Sequence, residues 1–356
     1  MAKQKSDLSR AFSEDGALKT HVGGQALIEG VMMRGKYNWA VGVREPDGGI
    51  YEESHDLASG RKKNGWMYWP LVRGCRAMVE SLILGYKALE VAAMHAYGEE
   101  SESEGSSTSA AAEDAEEEAV FGKREMAFSM VLGLVMGVVL FIVAPAFITN
   151  LIVGEYDSNT LLWNVVDGVL RVAVFVFYIW LIGRMSDIKR MFGYHGAEHK
   201  TIHCYEHGLP LTPENARQFP RLHVRCGTAF LIMVMIIAIL VYTITPLNGL
   251  IAALGVPDGA PKLVLVILTR IVLMPVIAGI SYEITVRWAG SHPENPLVKV
   301  VLWPGMQMQY LTTNEPDDSM LECAIAAMQQ VLEREELETA RAAAGSRAGE
   351  ASEVVS

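Results

Sequence analysis

The sequence predicts a mainly α, helical integral membrane protein with about four transmembrane helices and a small cytoplasmic α/β N-terminal portion. Three observations carry this. The chain of 356 residues is 51% hydrophobic, although it also holds long acidic segments. Four apolar runs are each long enough to cross roughly 30 Å of hydrocarbon at about 1.5 Å rise per residue. Basic residues collect on alternate connections between those runs, the asymmetry that orients a multi-pass protein.

The elements follow in order. Residues 1–20 are polar, read as disordered, and are expected to carry no signal peptide. Residues 21–98 form the α/β portion. It begins with Gly23–Gly35, GGQALIEGVMMRG, whose glycines permit a backbone path or a close approach closed to other residues. It lacks the Gly-Lys-Ser/Thr ending of a nucleotide loop. Glu45-Pro46-Asp47-Gly48 is a turn between two β segments, Trp39–Arg44 and Gly49–Glu53. Trp66–Tyr97 is mainly helical, with Leu71, Cys75, Met78, Val79, Leu82 and Tyr86 along one stripe. Arg73, Arg76, Glu80 and Lys87 break its apolar windows, so it reads as an interfacial helix or one docked on the protein itself. Residues 99–122 are an acidic, disordered linker of Ser, Ala and Glu.

Residues 123–311 hold the four spans: Met126–Val153, Leu161–Gly183, Gly227–Leu247 and Leu263–Trp288. Asp167 and Arg171 lie four apart inside the second, spacing that lets them pair. Leu297–Leu311 is apolar but broken by Pro304-Gly305, too short to span. Residues 312–337 read as a cytoplasmic amphipathic helix, with Leu321, Ile325, Met328 and Leu332 on its inner stripe, and 338–356 as a disordered tail.

The net charge of −11 sits largely in the acidic linker and the tail, and no basic footprint for nucleic acid is present. Four well-separated cysteines in so long a chain do not make a disulfide framework. The expected partners are the lipid bilayer, an unidentified membrane or cytoplasmic substrate and, with the sequence silent on it, a second copy of the chain.

Chemistry concentrates in residues 184–226, the connection between spans two and three. Four of the nine histidines, His195, His199, His203 and His207, recur every four residues and so share one helix face. His195-Gly-Ala-Glu198-His199 matches H-x-x-E-H, two imidazoles able to hold one metal beside a carboxylate. His223 and Cys226 stand at the entrance to span three and can complete the site. Imidazole with thiolate favours zinc over magnesium or calcium, with another divalent transition metal as the substitute. Glu198 is the candidate general base. Glu206 and Glu283 are candidate additional members, whereas His203 and His207 read as a solvated polar face. No inverted repeat with matching broken spans supports a transporter.

Six ordered words, GGQALIEGVMMRG, YHGAEHK (Tyr194–Lys200), Tyr205-Glu206, HVRCGT (His223–Thr228), SYEI (Ser281–Ile284) and LTTNEP (Leu311–Pro316), resemble the YqhQ-like family of bacterial multi-pass membrane proteins. The family is of unknown function and has been classed from its motifs as a metal-dependent enzyme. The resemblance covers Gly23 to Leu332. Its words take in His195, Glu198, His199, Glu206, His223, Cys226 and Glu283, but not His203, Cys204 or His207. Val224 stands where the family has proline, and the acidic linker is an elaboration of this chain.

The functional expectation is a zinc-dependent membrane enzyme, hydrolytic in type, with its site at the cytoplasmic membrane face. The alternative is a membrane scaffold or assembly factor with a structural metal site. Basic flanks place both termini and the 184–226 connection in the cytoplasm of a bacterium, in its inner membrane, where cysteines stay reduced. A membrane-impermeant thiol reagent applied to intact cells should therefore label a Ser158→Cys probe and leave Cys204 unlabelled. The opposite pattern would invert the topology.

Overall fold

The protein is described from a computed structural model, in which residues 21–57, 65–96, 128–129, 131–289, 291–292 and 295–353 are described. The expected disorder of 1–20 and of the acidic linker 99–122 lies outside the described residues. The chain divides into two compact units.

The first unit comprises Met1–Gly98, Trp180–Leu231 and Tyr282–Ser356. Its centre is a four-stranded antiparallel sheet in sequence order: β1 (Gly23–Leu27), β2 (Gly30–Arg34), β3 (Asn38–Arg44) and β4 (Ile50–Asp56). The turn expected at Glu45–Gly48 joins β3 to β4, with Gly48 at φ 91°. The first hairpin is tighter. Gly30 pairs with Leu27, so only Ile28 and Glu29 turn the chain, and Glu29 takes a left-handed φ of 50°. A non-glycine residue there needs outside support. Arg190 supplies it, gripping both Glu29 carboxylate oxygens at 2.6 and 2.5 Å, and Tyr194 reaches the same group at 3.2 Å.

Alternation of side chains along the strands buries both faces of this sheet. Leu27, Met32, Trp39, Val41 and Val43 pack with Leu84, Ala88, Val91 and Ala92 of α1 (Val72–Ala96). Val31, Met33 and Ala40 pack with Tyr194 and Ala197 of α4 (Ser186–Glu206) and with Leu321, Ala324 and Met328 of α10 (Asp318–Glu353). Helix α1 thus docks on the sheet by one face while Met78, Val79, Leu82 and Ile83 stay exposed. Its N-terminal Arg73 forms a bidentate pair with Glu283.

Four helices are long and apolar enough to cross a membrane: α2 (Val131–Val153), α3 (Thr160–Ile182), α6 (Gly227–Ile244) and α8 (Ala260–Ala289). The chain is a helical membrane protein. The second unit, Glu99–Ile179 and Ile232–Ser281, holds most of their length. Its polar interior is compact. Asp167 pairs with Arg171 at 3.0 Å, as the spacing of four predicted, and also with Arg270. Arg270 further donates to Asn164 at 2.7 Å and lies over the Trp163 and Tyr242 rings. Paired and stacked, these buried charges are structural. Short helices α5 (Pro213–Ala216) and α7 (Leu247–Leu254) fill connections, and α9 (Pro296–Thr312) follows the fourth span.

Two expectations need correction. Leu297–Leu311 is not broken at Pro304-Gly305: α9 continues through Pro304, since losing one N–H donor is tolerable in a helix packed on its neighbours. The last helix is not confined to 312–337 before a disordered tail. It starts at Asp318 and runs to Glu353. Its Glu-, Ala- and Arg-rich end has high intrinsic helix propensity, reinforced by the Arg334–Glu338 and Arg341–Glu338 pairs.

Cys204 is buried, so it is a silent thiol from either side, and exposed Ser186 is the better probe position for the connection between spans two and three. Packing yields a second test. A Cβ on Gly196 would lie 2.1 Å from the Asn314 carbonyl oxygen, whereas one on Gly133 meets nothing within 4 Å. Gly196→Ala should cost about 1–3 kcal/mol by overpacking and lower the melting temperature in detergent. Gly133→Ala should not. Equal melting of the two variants would contradict this packing.

Candidate metal centre

Helix α4 carries the histidine ladder. Its apolar side is held by the sheet and α10, which turns the ladder toward the chain returning from α5 to Cys226. That return strand is fastened to α4 by side chains reaching backbone carbonyls. Lys200 Nζ donates to Arg217 and Phe219 at 3.2 and 2.8 Å. His199 Nδ1 donates to Arg221 at 2.6 Å, and His203 Nε2 donates to Leu222 at 3.0 Å. From the other side comes the end of α9. His195 Nδ1 donates to the Thr312 carbonyl at 2.8 Å. Gln309, fully buried, accepts from the His223 amide at 2.8 Å and donates to its carbonyl at 2.9 Å.

A carbonyl only accepts, so these bonds place the protons of His195 and His199 on Nδ1 and leave Nε2 of each with its lone pair. His195 Nε2 lies 3.2 Å from Cys226 Sγ. His199 Nε2 is buried and has no hydrogen-bond partner among the described residues. The donor atoms of His195, His199 and Cys226 all lie within 4.8 Å of one another. Thr228 adds its hydroxyl at 3.1 Å and its amide at 3.4 Å to the sulfur.

Burial opposes charge on both partners of the closest pair. Even so, the Cys226 thiol falls well below its ordinary value, because the imidazoles of His195 and His199 face the sulfur. His195 rises to about 9 against the same burial, chiefly through the Cys226 sulfur. One proton shared between Cys226 Sγ and His195 Nε2 accounts for both shifts, and an ion held by these atoms would displace it. Glu198 lies alongside, 6% exposed, and burial pushes its carboxyl up, opposed by His199 and His195. Its neighbour is Gly24 of β1: a Cβ there would come within 2.8 Å of Glu198 Cγ. That close approach accounts for one glycine of the GGQALIEG word.

The sequence-predicted residues divide into three groups. His195, His199 and Cys226 converge, with Glu198 beside them. His223 does not join that set. Its ring belongs with His203 and Glu206, whose donor atoms again lie within 4.8 Å of one another. Glu206 in turn pairs with Arg225. Glu283 joins neither cluster, because Arg73 holds both its oxygens. His207 is exposed, as a solvated face requires, but His203 is fully buried, contrary to that expectation. The return strand covers it, and helical spacing alone cannot reveal that cover. Sequence reasoning also missed Gln309 and Thr312. The one available signal was an amide set among the apolar residues of α9.

Fold and cluster together define a four-span helical membrane protein with a partly buried histidine–cysteine cluster beside a buried carboxyl in its first unit. Residues 69–334 match the DUF1385 family, proteins of unknown function, and the chain belongs to that family. It is 32% identical over 323 residues to the uncharacterized protein YqhQ of Bacillus subtilis (strain 168), covering 88% of this chain and 93% of that one. The resemblance read from the six words is thereby borne out. No solved structure matches the chain.

Burial, reinforced for each ring by a neighbouring histidine, lowers His203 and His223 well below their ordinary value. Each ring therefore stays neutral in the folded protein where the unfolded chain would take up a proton. Above a pH of about 6.5 neither state is protonated there and these rings impose no pH dependence. Below it the unfolded state binds protons that the folded state refuses, so stability falls with pH. His203→Asn should flatten that acid slope in melting curves. A wild-type protein that gains stability between pH 6.5 and 5 would contradict the buried, neutral assignment.

Proposed function

We propose that the chain is a zinc-dependent membrane enzyme, hydrolytic in type, whose centre is formed by His195, His199 and Cys226 with Glu198 as general base. The observation that carries this reading is the count of donors. Among the described residues three protein groups converge, and Glu198 stands next to them rather than among them. Three ligands with an open fourth position are the pattern of catalytic zinc, and four protein ligands that of structural zinc.

The residues fit the ion. Two imidazoles and a thiolate are borderline-soft donors suited to zinc. The buried Nε2 of His199 makes no hydrogen bond of ordinary geometry among the described residues and faces only the Cys226 sulfur, an arrangement that costs about 1–3 kcal/mol without a partner. Carbonyl partners on Nδ1 are the outer contacts that orient metal-ligating histidines. A zinc ion held there would supply Lewis acidity, polarising an oxygen brought to it and easing loss of its proton. The chain's own part is to hold that oxygen near Glu198. Burial shifts its carboxyl upward, which strengthens it as an acceptor of a proton that it can return to a leaving group. The β1 edge at Gly24 limits where the carboxyl can point.

The scaffold reading calls for a fourth protein ligand. His223 was the candidate, and its ring's engagement with Glu206 and Arg225 weighs against it. Basic flanks favour a cytoplasmic site. The exposed apolar face of α1, with Trp66 and Trp69 before it, suits the bilayer surface.

Elemental analysis should find about one zinc per chain in the wild type, by the donor-set argument. His199→Ala should lose it, while Glu198→Gln and His207→Ala should keep it. In the cobalt-substituted protein, added azide should shift the visible spectrum, because an open position accepts it. Full zinc in His199→Ala, or a spectrum indifferent to azide, would sink the reading.

A further inference from the structure

The cluster of His203, Glu206 and His223 shares no ligand with the three proposed zinc ligands, although the His199 and His223 ring centroids are 5.6 Å apart, and it has its own geometry. All three side chains are buried, at 0%, 1% and 3% exposure. His203 gives its Nε2 proton to the Leu222 carbonyl, so Nδ1 is a bare lone pair. That nitrogen is fully enclosed and has no hydrogen-bond partner among the described residues. Two imidazoles and one carboxylate are a donor set that zinc, iron and manganese accept. Built this way, the cluster has the composition of a cation site.

A cation is already there. The Arg225 guanidinium bonds to Glu206, and its Nη2 lies 3.4 Å from His223 Nε2. The Arg225 backbone amide meets the other ring nitrogen, Nδ1, at 3.3 Å. Arginine does not give up its charge in proteins. A divalent ion and a guanidinium would have to share one carboxylate in a buried place, where like charges repel strongly. The occupants exclude each other. The Arg225 side chain is 34% exposed, so it has a path out.

We propose that His203, Glu206 and His223 form a second divalent-cation site that the Arg225 guanidinium fills, so that this chain works with one metal and one fixed organic cation rather than two metals. Only the baseline of one ion in the wild type rests on the proposed zinc function. The second site has separate ligands.

The test is ion content after loading purified protein with zinc and removing the excess. Wild type should hold about one ion, and Arg225→Gln about two. Arg225→Lys should stay at one, since charge rather than shape excludes the ion. Arg225→Gln with His203→Ala should return to one. Cobalt gives a readout independent of total content. The ion at Cys226 should bring a thiolate charge-transfer band, and the extra ion in Arg225→Gln should add visible bands without one, because the second site has no sulfur. One ion in Arg225→Gln that survives His199→Ala and is lost with His203→Ala supports the second site while removing the first. Overturning results are an unchanged content in a folded Arg225→Gln protein, or a wild type already holding a second ion that His203→Ala removes.

Discussion

Two backbone carbonyls, Thr312 and Arg221, hold the Nδ1 protons of His195 and His199, and the rest of the centre depends on those two bonds. They choose the tautomer, turn both Nε2 atoms the same way and bring Cys226 opposite them. Each requires a distant segment to arrive in register with α4. The return strand is positioned by Lys200 and His203. The end of α9 is positioned by Asn314, whose amide donates to Phe192 at 2.7 Å and whose side chain donates to Lys189 at 3.0 Å. Gly196 makes this approach possible, since any side chain there would meet the Asn314 carbonyl.

The sheet serves the same end from the opposite direction. It is buried on both faces, which is unusual for a small antiparallel meander, whose outer face commonly meets solvent. One face is spent on α1, and the other presses α4 and α10 together. The strained turn at Glu29 is part of this clamp: the Arg190 and Tyr194 contacts that support it come from the histidine helix itself. The hairpin and the histidine helix therefore support each other. A site that gathers two imidazoles, a thiol and a carboxyl needs such a frame, because unfixed polar groups would otherwise pull it toward water.

What could be read from the sequence was local or periodic. The four spans, the turn at Glu45–Gly48 and the helix that carries His195, Glu198 and His199 follow from hydropathy, turn chemistry and helical spacing, and these elements are present. Nonlocal partners were not legible. His195 and Thr312 are 117 residues apart, and nothing in either neighbourhood names the other. Position at the third span's entrance put His223 and Cys226 on the same footing, yet three residues of chain carry them to different clusters. Glu283 resembled a site member because it is ionisable within a span, and only the arrival of Arg73 from α1 shows that it is paired. His203 was misread for a similar reason: a polar residue on a polar face gives no sign of the strand that will cover it.

The central claim is that two imidazoles and one thiolate hold a metal and leave a place for a light-atom ligand from solution. X-ray absorption at the zinc edge of the purified protein tests this most directly. The account predicts one sulfur and two imidazoles per zinc, with one further oxygen or nitrogen that changes when azide is added, and loss of the sulfur shell in Cys226→Ser. A shell without sulfur in the wild type, or one with three imidazoles beside it and no response to azide, would contradict it.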